Sequence, residues 1–232
     1  MEECIKSVLS QTYKEIEYII IDNCSTDSTL DIAKTHSEGI SRIISEPDKG
    51  IFDALNKGIK IASGEVIGFL HADDFYASST IIEEIMQKFE ATVADSVYGD
   101  LQYVSKNNSD KVIRNWKAGE FSNKKLLNGW MPPHPTFFVK RKCYLSFGLF
   151  NTDYKIAADY DLILRFLGKH KISTEYIPKV IVKMRTGGTS NKSFKNIFSK
   201  SKEDLDALKA NEMGNLYTLL LKNFRKINQF FK

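Results

Sequence analysis

The alternation in the first hundred residues constrains this chain most. β-branched and aromatic runs at 16–21, 40–44, 66–70 and 96–98 are separated by stretches with apolar residues at helical spacing, such as Phe52, Leu55, Ile59 and Ala62. This predicts buried strands alternating with amphipathic helices over 28–36, 52–62 and 78–89. Asp27 or Ser28 reads as the cap of the first of these helices, and Ser63-Gly64 ends the second. Strand, helix, strand with short connections makes βαβ units. The predicted fold class is therefore α/β, an open, mostly parallel sheet flanked by helices. Beyond about residue 100 the pattern loosens to a proline-rich loop at 130–135, a strand at 136–139, a helix at 159–167 and a Gly-containing loop at 185–191. Such domains usually open with a strand, whereas here Ile5, Val8 and Leu9 make a helical pattern. Either the domain starts with a helix, or a first strand lies upstream of Met1. The second case leaves an unpaired sheet edge that invites association with another chain, and so a homo-oligomer.

Composition removes several function classes. The 232 residues are 42% hydrophobic and 12% aromatic, with a net charge of +4, which excludes a disordered chain. Cys4, Cys24 and Cys143 are scattered without CxxC spacing, so neither a disulfide framework nor a zinc site is expected. No apolar run approaches the roughly 18 residues of a membrane span, and the N-terminus lacks the features of a secretory signal. A cytoplasmic protein is expected. Residues 192–232 hold nine Lys/Arg against four Asp/Glu, leaving 24 against 25 in residues 1–191. The positive charge thus belongs to the C-terminal end and not to a stripe across the body, so no nucleic-acid partner is expected.

That asymmetry divides the chain into a domain over 1–191 and a basic helical tail over 192–232. In the tail, Leu216, Leu220, Phe224, Ile227 and Phe231 form one helical stripe, with Lys222, Arg225, Lys226, Gln229 and Lys232 opposite. Residues 217–232 contain no acidic residue. The pattern is that of a basic amphipathic helix on an anionic membrane surface, the inner face of the cytoplasmic membrane. A helix packing its stripe on the domain accounts for it equally.

In open parallel sheets, ligands bind beyond the carboxyl ends of the strands. Two predicted strands end in acidic loops, Asp22-Asn23-Cys24-Ser25-Thr26-Asp27 and His71-Ala72-Asp73-Asp74. Paired carboxylates there suit Mg²⁺ or Mn²⁺, hard cations that share their shell with phosphate oxygens. Helix capping and a plain turn are the competing accounts. Asp159 and Asp161 stand at a helix start, where the dipole keeps a carboxylate ionised and able to take a proton from a hydroxyl. N-capping explains them as well.

Together these segments resemble the family 2 glycosyltransferases of the GT-A fold. The resemblance runs from about residue 3 to 190. It rests on Ser7-Val8-Leu9-Ser10-Gln11-Thr12-Tyr13, the 20–29 segment with Asp22-Asn23, Glu46-Pro47-Asp48-Lys49-Gly50 with Asp53-Ala54-Leu55-Asn56-Lys57-Gly58, the 64–74 segment ending in Asp73-Asp74, and Asp159-Tyr160-Asp161-Leu162 with Arg165. It implies a hexosyl- or N-acetylhexosaminyl-transferase. Such an enzyme moves a sugar, with inversion, from a nucleotide-diphospho-sugar, UDP-sugar favoured, to a hydroxyl of a bacterial-type surface glycan or lipid-linked saccharide.

By the resemblance, Asp22 and Asn23 contact the nucleotide base, and Lys49 lies near the nucleotide. Asp73 faces the ribose, and Asp74, with Asp73, holds the divalent ion. Asp159 is the catalytic base, with Asp161 the fallback. His134 approaches the donor sugar or diphosphate, and Arg185, in a loop after the last strand, reaches the diphosphate. Asn23 stands where the family often has Asp, and Ala158 where it commonly has Glu. Because family members begin with a central strand, a non-catalytic remnant or sugar-nucleotide-binding protein is the alternative. A nucleotidyltransferase of similar fold would want a Gly-rich phosphate loop near the N-terminus, and none is present.

Overall fold

The computed structural model describes residues 1–187 and 194–227, with side chains over 1–187 and 199–224. Residues 188–191 of the expected loop, and Gln229, Phe231 and Lys232 of the expected tail stripe, lie outside them. The fold is mixed α/β. Helix α1 (Glu2–Leu9) leads into β1 (Ile19–Asp22), α2 (Thr29–Thr35), β2 (Arg42–Ser45) and α3 (Ile51–Ile61). Next come β3 (Val66–Ile67), β4 (Phe75–Tyr76), α4 (Ile81–Thr92), β5 (Ser96–Ser105) and β6 (Asn108–Trp116). The chain continues through α5 (Asn123–Leu127), β7 (Phe138–Lys140), α6 (Arg141–Phe147), α7 (Ala158–Ile163), β8 (Thr174–Arg185), α8 (Phe194–Ala210) and α9 (Leu216–Ile227).

Helical spacing accounts for the buried faces. Phe52, Asn56 and Ile59 of α3, and Ile81, Ile85 and Phe89 of α4, are buried at steps of three and four residues. Gly50 enters α3 at φ +132°, a conformation that L side chains rarely adopt. Three expectations change. The strand at 96–98 runs on to Ser105, because its far half is paired on both sides, by β6 and by β8, and Gly99, Asp100 and Gln102 hide that in the sequence. The strand at 136–139 begins at Phe138, after a 3₁₀ turn over His134–Thr136. The helix at 159–167 is α7 followed by a π-helical turn over Leu164–Lys169.

Strands β1 and β2 form a two-stranded parallel sheet. The larger sheet has the order β3-β7-β5-β8-β4, with β6 on the distal half of β5. Its longest pairing, β5 with β8, is parallel. Strand β7 runs antiparallel to both β3 and β5, and β4 antiparallel to β8. Among the described residues no strand joins β1 to β3. A cavity of about 540 Å³ separates them. Ile19 and Ile21 line one side, Val66 and Ile67 the other, and α3 and α4 contribute Leu55 and Ile85. The two unpaired edges thus meet across an apolar slot. A β-branched segment joined ahead of α1 and seated in it as a strand would complete a β-α1-β1 crossover. A gain of about 2 kcal/mol from the apolar area buried would raise Tm by roughly 4–8 °C in a domain of this size. Differential scanning calorimetry checks this, and an unchanged Tm would reject it.

Candidate active site

Strand directions decide which ends of the chain meet. Because β4 runs antiparallel to β8, with Phe75 opposite Lys183, the Asp73-Asp74 pair ahead of β4 lies beside the end of β8. Because β7 runs antiparallel to β3, the turn that begins at His134 lies beside the residues that leave β3. His134 accordingly stacks on Phe69 (centroids 5.9 Å), meets Phe150 edge-on (5.5 Å) and faces His71 (6.3 Å). The amide of Asn56 fixes Phe150 there, donating to its carbonyl and accepting from its N–H, each at 2.9 Å.

Asp74 is buried, and its Oδ2 has no hydrogen-bond partner. Burial pushes its carboxyl up to about 7, and the charge of Asp73 adds to the push against an opposing effect of Arg185. An orphaned carboxylate oxygen fits a divalent cation. Among the described residues no three His, Cys, Asp or Glu side chains gather as metal ligands. The protein therefore offers one or two carboxylates, the arrangement that suits an ion held jointly with substrate phosphates.

Arg185 is not in a loop: it is the last residue of β8, because its strand stays paired with β5 as far as Val104. Its guanidinium donates to the carbonyl of Asp73 at 3.1 Å, pairs with Glu3 and lies over the Phe75 ring. It thus holds the backbone of the acidic pair. Asp22, at the end of β1, accepts from Ser25 N (3.0 Å) and Ser45 Oγ (2.6 Å). Burial raises its pKa, but these bonds outweigh burial and leave the carboxyl below its ordinary value. Asn23 accepts from the N–H of Asp48 at 2.7 Å, tying the first acidic loop to the 46–50 loop. Exposed Lys49 sits in that second loop. Asp27 Oδ1 accepts from Thr29 N at the entry to α2, one residue ahead of the N-cap position, Ser28.

Asp159 is partly exposed at the start of α7, and its Oδ1 accepts from the N–H of Tyr160 at 2.8 Å. Asp161 is buried and engaged: it accepts from Asn211 Nδ2 at 2.8 Å and lies 3.7 Å from Arg165. The geometry thus separates an available carboxylate from a structural one. Burial lowers both His71, to about 4, and His134, whose two ring nitrogens have no partner, while the charge of Asp159 opposes burial at both. Burial thus disfavours the charged form of both imidazoles. The phenol of Tyr103, on β5, is raised by burial, with Arg114 opposing and the charges of Asp74 and Asp159 adding.

Several of these residues escape sequence reasoning. His71 and Tyr103 carry no motif of their own. Lys57 ties down the 46–50 loop through Asp48 (2.5 Å), Glu46 (2.9 Å) and the Pro47 carbonyl. Glu203 on α8 accepts from the N–H groups of Ile156 (2.8 Å) and Ala157 (3.0 Å), capping the approach to α7 from 46 residues away. The only available signal was the acidic run 203–206 inside an otherwise basic segment.

The family model described as "Glycosyl transferase family 2" matches residues 1–151, and the chain belongs to that family. It is a glycosyltransferase with a GT-A-type fold. A "PGL/p-HBAD biosynthesis glycosyltransferase" of Mycobacterium bovis (strain BCG / Pasteur 1173P2) is 31% identical over 193 residues, covering 81% of this chain and 73% of the relative. The chondroitin synthase of Pasteurella multocida (strain Pm70) is 31% identical over 208 residues, covering 87% of this chain and 21% of that protein. Among solved structures, S. aureus TarS 1-349 in complex with UDP-GlcNAc superposes with a TM-score of 0.68 at 14% identity, over 90% of this chain and 60% of that one. The mannosyltransferase PcManGT from Pyrobaculum calidifontis, in complex with GDP-Man and Mn²⁺, gives 0.63 at 15% identity over 90% and 59%.

Proposed function

We propose that this glycosyltransferase uses a UDP-sugar and transfers its hexosyl or N-acetylhexosaminyl group, with inversion, to a hydroxyl of a surface glycan or lipid-linked saccharide on the cytoplasmic side of a membrane. The observation that carries the reading is Asp74, buried ahead of β4 beside the end of β8 with an unpartnered carboxylate oxygen, its neighbour's backbone held by Arg185. The TarS complex with UDP-GlcNAc supports the choice of donor.

In this reading Asp22 and Asn23 meet the base, Asp73 the ribose, and Lys49, His134 and Arg185 the donor end of the site. Asp159 takes the proton of the acceptor hydroxyl as its oxygen bonds to the anomeric carbon. The bond from that carbon to the diphosphate oxygen breaks on the opposite face. A Mg²⁺ or Mn²⁺ ion on Asp74 and Asp73 would offset the negative charge that grows on the leaving diphosphate. His71 and His134 pack with Phe69 and Phe150 in one ring cluster beside the residues that leave β3, an apolar wall that helps exclude water.

A donor screen with Mg²⁺ or Mn²⁺ tests the proposal, read as release of nucleoside diphosphate on addition of acceptor. Acceptor-dependent release of UDP from one sugar donor is expected. Tight nucleotide binding without release from any donor would favour the sugar-nucleotide-binding alternative.

A further inference from the structure

Helix α9 lies on the domain with the face opposite to the one its apolar stripe predicts. Thr218, Leu219 and Lys222 are buried. The Lys222 ammonium, expected among the surface charges, is 4% exposed. It pairs with Asp204 of α8 at 2.6 Å and sits 3.2 Å above the ring centroid of Tyr160 on α7. The α9 backbone at Lys222 passes so close to Gly129 that a Cβ there would stand 2.6 Å from its nitrogen. An ion pair enclosed by an aromatic ring, together with a backbone contact that only glycine admits, fixes the rotation of the helix. The expectation that Lys222 faces solvent fails because Asp204, buried beside it, needs a countercharge.

That rotation turns the stripe outward. Leu216 is 59% exposed, Tyr217 65%, Leu220 48% and Phe224 64%. Leu216, Leu220 and Phe224 recur every fourth residue and so form one row. Four such side chains present on the order of 400 Å² of apolar surface, about half of what each partner of a stable protein dimer buries. Residues 213–232 contain no Asp or Glu and carry Arg225, Lys226 and Lys232 besides the internally paired Lys222. An apolar row too small for a dimer, on a segment with only positive charge, is complementary to a surface that is apolar beneath and anionic above.

We propose that the outward row of α9 docks in the plane of an anionic lipid bilayer, inserting Leu216, Leu220 and Phe224 among the acyl chains, with the net positive charge of the 213–232 segment favouring an anionic surface. The inference is independent of the donor and acceptor assignments.

Co-flotation of the full chain with phosphatidylcholine vesicles, with and without phosphatidylglycerol, tests the proposal. Binding is expected to the anionic vesicles, to be far weaker on the neutral ones and to fall with added salt. Each basic residue neutralised among Arg225, Lys226 and Lys232 should weaken it about fivefold. The double variant Leu220→Asp, Phe224→Asp should lose binding while its circular dichroism and Tm stay those of the parent, since neither side chain is buried. No binding to anionic vesicles at low salt would overturn the proposal. So would equal binding by the double variant, or concentration-dependent dimers in size exclusion that this variant abolishes.

Discussion

Asp159→Asn is expected to lower kcat by at least about a hundredfold, the usual scale for losing a general base, with donor affinity nearly unchanged. The carboxylate is partly exposed at the start of α7, and its Oδ1 accepts from the next residue's N–H, a bond that an amide oxygen can also make. The substitution therefore removes basicity and leaves the fold in place. Asp161→Asn separates the two candidates. Asp161 is buried between Asn211 and Arg165; an amide there can still accept from Asn211, but the carboxylate charge that faces Arg165 at 3.7 Å is lost, leaving a half-buried cation without its countercharge, so Tm should fall. Steady-state kinetics with saturating donor, alongside calorimetry of both variants, checks the pair. A larger kcat loss for Asp161→Asn, with the parent's Tm, would exchange their roles.

Asp74→Ala is expected to abolish the stimulation of activity by Mg²⁺ or Mn²⁺, and excess EDTA should inactivate the parent to a similar extent. The raised pKa gives this a pH signature. Without an ion, Asp74 is protonated in the folded chain up to about pH 7, whereas its ordinary value is 3.8. The folded state then holds more protons than the unfolded one between those values, so the ion-free protein loses stability as pH rises from about 4 to 7 and is level above it. Asp74→Asn should remove that slope. A proton and a cation compete for the same oxygens, so ion affinity should fall about tenfold per pH unit below 7. Isothermal titration with Mn²⁺ across pH, together with Tm against pH for parent and variant, measures both. Full turnover in EDTA, or a pH-independent ion affinity, would show that Asp74 does not hold the ion.

The sequence by itself determined that the chain alternates strand and helix, because periodicity and capping act over a few neighbours. It marked Asp22, Asp73-Asp74 and Asp159 because carboxylates at strand and helix ends stand out without any knowledge of packing. It did not place Arg185. Whether that residue ends a strand depends on pairing with β5, some 80 positions earlier, and no local signal reports it. The same holds for β6, whose consecutive residues Asp110 to Ile113 are exposed on both faces, so no alternation marks it as a strand. The tertiary structure also decided which of two nearby carboxylates is free. Asp159 and Asp161 are chemically alike in sequence, and only the packing of α8, which brings Asn211 to Asp161 and Glu203 to Ala157, tells them apart. It decided the face of α9 for the same reason. A helical stripe fixes which residues lie together, but which side turns inward is set by the buried Asp204 with which Lys222 pairs. Short-range spacing is written in the chain, whereas burial and charge pairing are properties of residues that meet only after it folds.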